Sequence, residues 1–160
     1  MEFKFVVTPN GILKIIEAIL LIVGFALILD RIIELEKCID FILIGKICGD
    51  APWEYYVYAV IAILVGVLIV VAVIGHLIMP AWMKLIRAKV AKAEIGFCVV
   101  AAILVLVGSA CLASDVKDKN DKGFQELDKQ ITAVVLGFVA VVLLVVECIF
   151  LRRIANSPSL

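Results

Sequence analysis

The chain has 160 residues, 65% of them hydrophobic and 19% charged, and its 15 basic and 15 acidic side chains cancel. A soluble domain is nearer half apolar, and a chain this short has too little interior to hide the excess from water, so the excess faces lipid. Balanced charge excludes an electrostatic nucleic-acid binder, and the hydrophobicity excludes disorder.

In chain order, long apolar runs lie at 12–29, 56–79, 95–113 and 131–151. Each is close to the roughly 20 residues that carry a helix across a hydrocarbon core. Only helices and closed barrels span lipid, because a bare backbone amide finds no partner there. The runs are continuous rather than alternating, which favours helices. The expected fold is an all-α, integral membrane four-helix bundle, one domain over 1–160.

The first run contains Lys14 and Glu17. Its strongly apolar residues contribute about −4 to −8 kcal/mol to insertion, against about +2.5 to +3.5 for a central acidic group, so it still inserts. Segment 1–10 carries Lys4 balanced by Glu2, and no small-residue cleavage site follows the run, so a cleaved secretory signal is not expected. Pro9-Asn10-Gly11 and Gly49-Asp50-Ala51-Pro52 read as punctuation before the first two spans, and Pro80 as the stop after the second. Segment 114–130, dense in Lys and Asp, reads as a solvated loop or frayed helix end.

An even number of spans places both termini on one side. Segment 80–93 holds Lys84, Arg87, Lys89 and Lys92 without an acid, and Arg152 and Arg153 follow the last run, whereas bases in the other two linkers are interleaved with acids. The expectation is that both termini and the basic segment are cytosolic. That segment is a candidate for holding the inner leaflet, at roughly 1 kcal/mol per charge with anionic lipid. Ordinary topogenic charge is the plainer reading.

At helical spacing each run shows one stripe of mostly small residues with an ionisable group towards one end. The stripes are Lys14, Glu17, Leu21, Gly24 and Ile28; Ala59, Ala62, Gly66, Ile69, Val73 and His76; Glu94, Cys98, Ala101, Val105 and Gly108; and Ala133, Gly137, Ala140, Leu144 and Glu147. Small residues let membrane helices approach closely, so these stripes are expected to face the bundle interior. The ionisable members Lys14, Glu17, His76, Glu94 and Glu147 then form an intramembrane polar cluster near the cytosolic leaflet. Three readings stand: a structural clasp with Glu17 on Lys14 or His76 on a neighbouring Glu, an ion or proton site, or simple interfacial solvation.

Cys38 and Cys48 share the first outside linker and are candidates for a disulfide, with two free thiols as the alternative. Cys98 and Cys111 fall within a span and read as packing residues. Cys148, four residues before Arg152, is a palmitoylation candidate. Within 32–47, Ile32, Leu35, Ile39, Ile42, Leu43 and Ile47 share one helical face, although Phe41-Ile42-Leu43-Ile44 equally fits a short strand. Ile32, Leu35, Ile39, Phe41, Ile42 and Leu43, with Trp53, make a candidate extracellular interaction surface that either caps the bundle or meets a partner. No Cys-x-x-Cys, metal-ligand spacing, phosphate loop or glycosylation sequon is present, so neither catalysis nor a cofactor or metal is expected.

The stretch Thr8-Pro9-Asn10-Gly11-Ile12-Leu13-Lys14-Ile15-Ile16-Glu17 resembles the start of the MARVEL family. There, a short cytosolic segment with a small-residue turn and a Gly-Ile-Leu-Lys-like run leads into the first span. Four spans with cytosolic termini are similar to that family over the whole chain. The resemblance implies a non-enzymatic protein of the plasma membrane or secretory and vesicle membranes. It implies work in membrane apposition, cell junctions, vesicle trafficking or lipid-domain organisation. The partners implied are membrane lipids and other membrane proteins, further copies of itself included, with no nucleic acid and no small-molecule substrate. Claudins are a second similar family, through four spans and two cysteines in the first outside loop. This chain lacks the Gly-Leu-Trp run that precedes those cysteines in claudins, and its loop is short. A small proton- or ion-moving proteolipid or channel-auxiliary subunit is the reading from a different class, weakened by the off-centre position of Glu147.

Overall fold

The computed structural model describes residues 8–36, 39–41, 45–47, 51–78, 87–121 and 127–156. Four helices dominate it: α1 Pro9–Glu36, α2 Trp53–Ile78, α3 Arg87–Asp121 and α4 Asp128–Asn156. Among the described residues, all four are long and apolar enough to cross a membrane. Each contains nearly all of its apolar run and extends past it. α3 is longest, at 35 residues, so it rises roughly 50 Å and outreaches a hydrocarbon core about 30 Å thick.

Helix starts have local causes. Thr8 is an N-cap: its Oγ1 accepts from the Gly11 amide at 3.2 Å, and its carbonyl takes the Ile12 amide at 3.0 Å. Pro9 then occupies the first helical position, where a missing N–H has no consequence. Pro9-Asn10-Gly11 is therefore the first turn of α1, not a turn ahead of it. At the other end α1 continues beyond Leu29 to Glu36. Segment 80–93 is likewise helical from Arg87, and 114–130 is helical to Asp121 and again from Asp128.

Between α1 and α2, strands β1 (Ile39–Phe41) and β2 (Gly45–Ile47) pair antiparallel, Ile39 opposite Ile47, Asp40 opposite Lys46 and Phe41 opposite Gly45. One helical face over 32–47 therefore does not form. Its first part completes α1, and Ile39–Phe41 and Gly45–Ile47 pair as antiparallel strands instead.

The helices form a ring in chain order, α1 against α2, α2 against α3, α3 against α4, and α4 closing on α1. The starts of α1 and α3 lie beside the ends of α2 and α4, so neighbours run antiparallel. The interior is made of the small-residue stripes. Leu21, Gly24 and Ile28 are buried, as are Ala59, Ala62, Gly66 and Ile69; Cys98, Ala101, Val105 and Gly108; and Ala133, Gly137, Ala140 and Leu144. Large aliphatics face outward instead, among them Val60, Leu64, Val71, Ile103 and Val142. Lipid is as apolar as these side chains, so close backbone approach rather than water exclusion holds the helices together.

Tyr58 shows that approach most clearly. It is 2% exposed and sends its hydroxyl from α2 across the bundle to donate to the Ala133 carbonyl of α4 at 2.9 Å. A Cβ on Gly24 would collide with the hydroxyl. One on Gly137 would meet the ring at 3.3 Å and collide with Ser109. Glycines on α1 and α4 thus make the space that the phenol fills.

Candidate functional site

The end of the bundle that gathers the starts of α1 and α3 with the ends of α2 and α4 holds a chain of ionisable side chains. Lys14 on α1 and Glu147 on α4 are each 1% exposed, and Lys14 Nζ lies 2.6 Å from Glu147 Oε1. At this distance the ammonium and carboxylate make a charge-assisted contact, so Lys14 serves Glu147 Oε1. The same Nζ is 3.9 Å from Glu94 Oε1 on α3, and that oxygen is 3.3 Å from His76 Nε2 on α2. His76 Nδ1 sits 3.0 Å from the Ala72 carbonyl. A neutral imidazole carries one N–H and can donate to only one of these two acceptors. All four helices contribute to a sequence running Glu147, Lys14, Glu94, His76.

Glu17 completes the group. One turn from Lys14 on the same face of α1, it is fully buried, and neither carboxylate oxygen meets a hydrogen-bond donor. Its neighbour is the Glu147 carboxyl. The expected local pair of Glu17 with Lys14 is thus replaced by a tertiary one. The lysine stem reaches across to α4 and leaves Glu17 against a second carboxyl. The pairing of His76 with a neighbouring Glu is present, that partner being Glu94.

A second polar layer lies some 17 residues further along α1, roughly 25 Å away. Lys129 Nζ meets Asp30 at 2.6 Å and Glu34 at 2.8 Å, which ties α4 to α1, and Arg31 meets Glu34 at 3.1 Å. Lys119 donates to the Tyr55 hydroxyl at 2.7 Å, lies 4.5 Å from the centroid of that ring and pairs with Asp115 at 2.8 Å. Buried Gln130 accepts from Arg31 Nε at 3.0 Å, donates to the Leu127 carbonyl at 3.1 Å and sits 3.4 Å from the Tyr55 hydroxyl. Unlike the first layer, Lys129, Asp30 and Glu34 are at least 37% exposed.

The remaining sequence candidates scatter. Ile32 is 6% exposed and packs in the core, which corrects its assignment to an outward interaction surface. The cause is the extension of α1, which carries the stripe on from Ile28 by one turn. Trp53 is exposed at the start of α2. Leu35 lies in α1, and Ile39 and Phe41 in β1. Lys89 and Lys92 are exposed in the first turns of α3, where Arg87 opens the helix. Cys148 is partly buried against the core on α4. Cys38, Cys48, Ile42, Leu43 and Lys84 lie outside the described residues. Among the described residues no three His, Cys, Asp or Glu side chains are grouped as metal ligands.

The sequence reading missed Tyr58, Tyr55, Lys119 and Gln130. A signal was available for the two tyrosines: Tyr55 and Tyr58 continue the Ala62–Gly66 stripe backwards at helical spacing. Lys119 and Gln130 gave none, because they lie in a stretch of mixed charge.

Known families supply the remaining context. The model of the MARVEL membrane-associating domain matches residues 5–150. The chain belongs to the MARVEL family. No curated protein and no solved structure matches it. As a MARVEL protein with four apolar helices it is an integral, multi-pass, tetraspan membrane protein that associates with lipid. Its polar cluster lies within the MARVEL domain, on all four spans.

Proposed function

We propose that this MARVEL protein is a non-enzymatic organiser of membranes or membrane-protein assemblies. It works at cell junctions, at membrane appositions or in vesicle trafficking, through helix packing and the linker between α1 and α2. The observation that carries this reading is the family match over 5–150. In support, the inward side chains are committed to helix contacts, and Lys14 ties α1 to Glu147 of α4, as a structural clasp requires. Both termini and the segment before α3 are cytosolic in this reading. Lys84 of that segment and Arg87, Lys89 and Lys92 in the first turns of α3 rest on the inner leaflet, and Cys148 is a candidate for acylation. The linker surface is carried by the β1–β2 hairpin, Leu35, Ile42, Leu43 and Trp53.

A disulfide between Cys38 and Cys48 belongs to this reading, and both cysteines lie outside the described residues. Non-reducing peptide mapping should recover one cross-linked peptide; alkylation of both cysteines without reduction would overturn the bridge.

Proximity labelling from the tagged full chain in its native membrane tests the function. Enrichment of junction or vesicle-coat neighbours supports the organising role. Enrichment of rotary ATPase or channel subunits instead would transfer the protein to the ion-moving class.

A further inference from the structure

Both carboxylate oxygens of Glu17 on α1 are buried with no hydrogen-bond donor, and the carboxyl beside them is that of Glu147 on α4. Glu17 is 0% exposed and Glu147 1%. The positive charge beside them belongs to Lys14, whose Nζ is 2.6 Å from Glu147, and one lysine balances one carboxylate. Among the described residues, the groups around them add no second cation for Glu17. From α3, Glu94 is itself acidic, and Cys98 offers a thiol, a weak donor at best. From α2, the imidazole of His76 is directed to Glu94 and the Ala72 carbonyl. An ionised carboxylate in lipid with neither cation nor donor is the costliest state a side chain can hold, and two adjacent carboxyls cannot both ionise there.

We propose that this end of the bundle is a proton-binding site, in which one proton is shared between the carboxyl groups of Glu17 and Glu147. The proton turns the Glu17 carboxyl into a donor. Its O–H donates to Glu147, Glu147 keeps its ionic contact with Lys14, and one of the two donorless Glu17 oxygens gains a partner. The site is monovalent in protons. Its occupancy governs the junction of α1 with α4: without the proton, two carboxylates face each other across that seam and drive it apart. Assembly of the seam therefore takes up one proton when Glu17 is ionised in the separated state. Stability is then highest at low pH and falls as pH rises, by about tenfold in the folding equilibrium per pH unit where that uptake is complete. The inference is independent of the organising role and survives or fails apart from it.

The test uses the full chain in phosphatidylcholine nanodiscs, with carboxyl-labelled glutamate and infrared difference spectroscopy at neutral pH. A protonated-carboxyl carbonyl band is expected that shifts in D₂O and disappears in Glu17→Gln. Detergent-driven unfolding across a pH series supplies the second readout. The wild type should lose stability with rising pH, while Glu17→Gln, which keeps the shape and a donor, should be nearly flat. Should Glu17→Gln fold poorly, the wild-type band and its isotope shift decide alone. Absence of a protonated carboxyl in the wild type, or a band and pH slope that persist unchanged in Glu17→Gln, overturns the site.

Discussion

Tyr58 and its glycine-lined space illustrate what single residues contribute in a bundle that has no water to exclude. The phenol fills a gap that Gly24 and Gly137 leave, and its hydroxyl donates to the Ala133 carbonyl. Tyr58→Phe keeps the filling and loses the bond, so it should destabilise by about 0.5–1.5 kcal/mol. Gly137→Val forces two helices apart and should cost about 1–3 kcal/mol or more, since overpacking shifts backbone as well as side chains. Reversible unfolding in mixed micelles measures both. Equal, negligible effects would mean that the phenol is not packed as described. Exposed ion pairs make the opposite case at the same scale. Lys129 bridges Asp30 and Glu34 with 40% of its side chain open, so Lys129→Ala should change stability by no more than about 1 kcal/mol.

Among the elements, the four helices and their inward faces were readable because one physical rule governs them: small residues recur where backbones meet. Leu21, Gly24 and Ile28, or Ala133, Gly137, Ala140 and Leu144, carry that rule in plain spacing. Helix ends obeyed a different one. Thr8 and Pro9 form an N-cap and first turn, and this pattern is easily taken for a linker because Asn10-Gly11 follows. Thr8→Ala should therefore weaken α1 by about 1 kcal/mol, visible as faster amide exchange over its first turns. The stretch after α1 resisted reading for want of a period. Four apolar residues suit a helix or a strand equally, and the choice fell to pairing between Ile39–Phe41 and Gly45–Ile47. Within the candidate site, the membership of Lys14, Glu17, His76, Glu94 and Glu147 could be listed from stripe ends. Their partners could not, since whether Lys14 turns to Glu17 one turn away or to Glu147 on another helix depends on how α1 meets α4.

Seen whole, the molecule lines its interior with small residues, ionic groups and a few aliphatics such as Leu21, Ile28 and Leu144, and turns many large aliphatics outward. Its two polar layers lie roughly 25 Å apart, near the thickness of the hydrocarbon they bracket. The layers differ in kind: one is exposed and strap-like, the other buried and shared by all four spans. An impermeant maleimide applied to single-cysteine variants at Lys89 and Lys119 should label the two from opposite faces of sealed vesicles. Labelling of both from one face would contradict the spanning arrangement.

That the buried layer clasps the bundle is tested most directly by a double-mutant cycle on Lys14→Met and Glu147→Gln, with stability measured in lipid. Lys14→Met strands Glu147 as a buried charge, whereas Glu147→Gln leaves Lys14 only the more distant Glu94 and its helix neighbour Glu17. The first change should therefore cost about 3–5 kcal/mol and the second less, and the double variant should recover much of the loss. A coupling of about 2 kcal/mol or more is predicted. Single losses that simply add, with coupling under about 0.5 kcal/mol, would show that the two side chains do not hold the helices together.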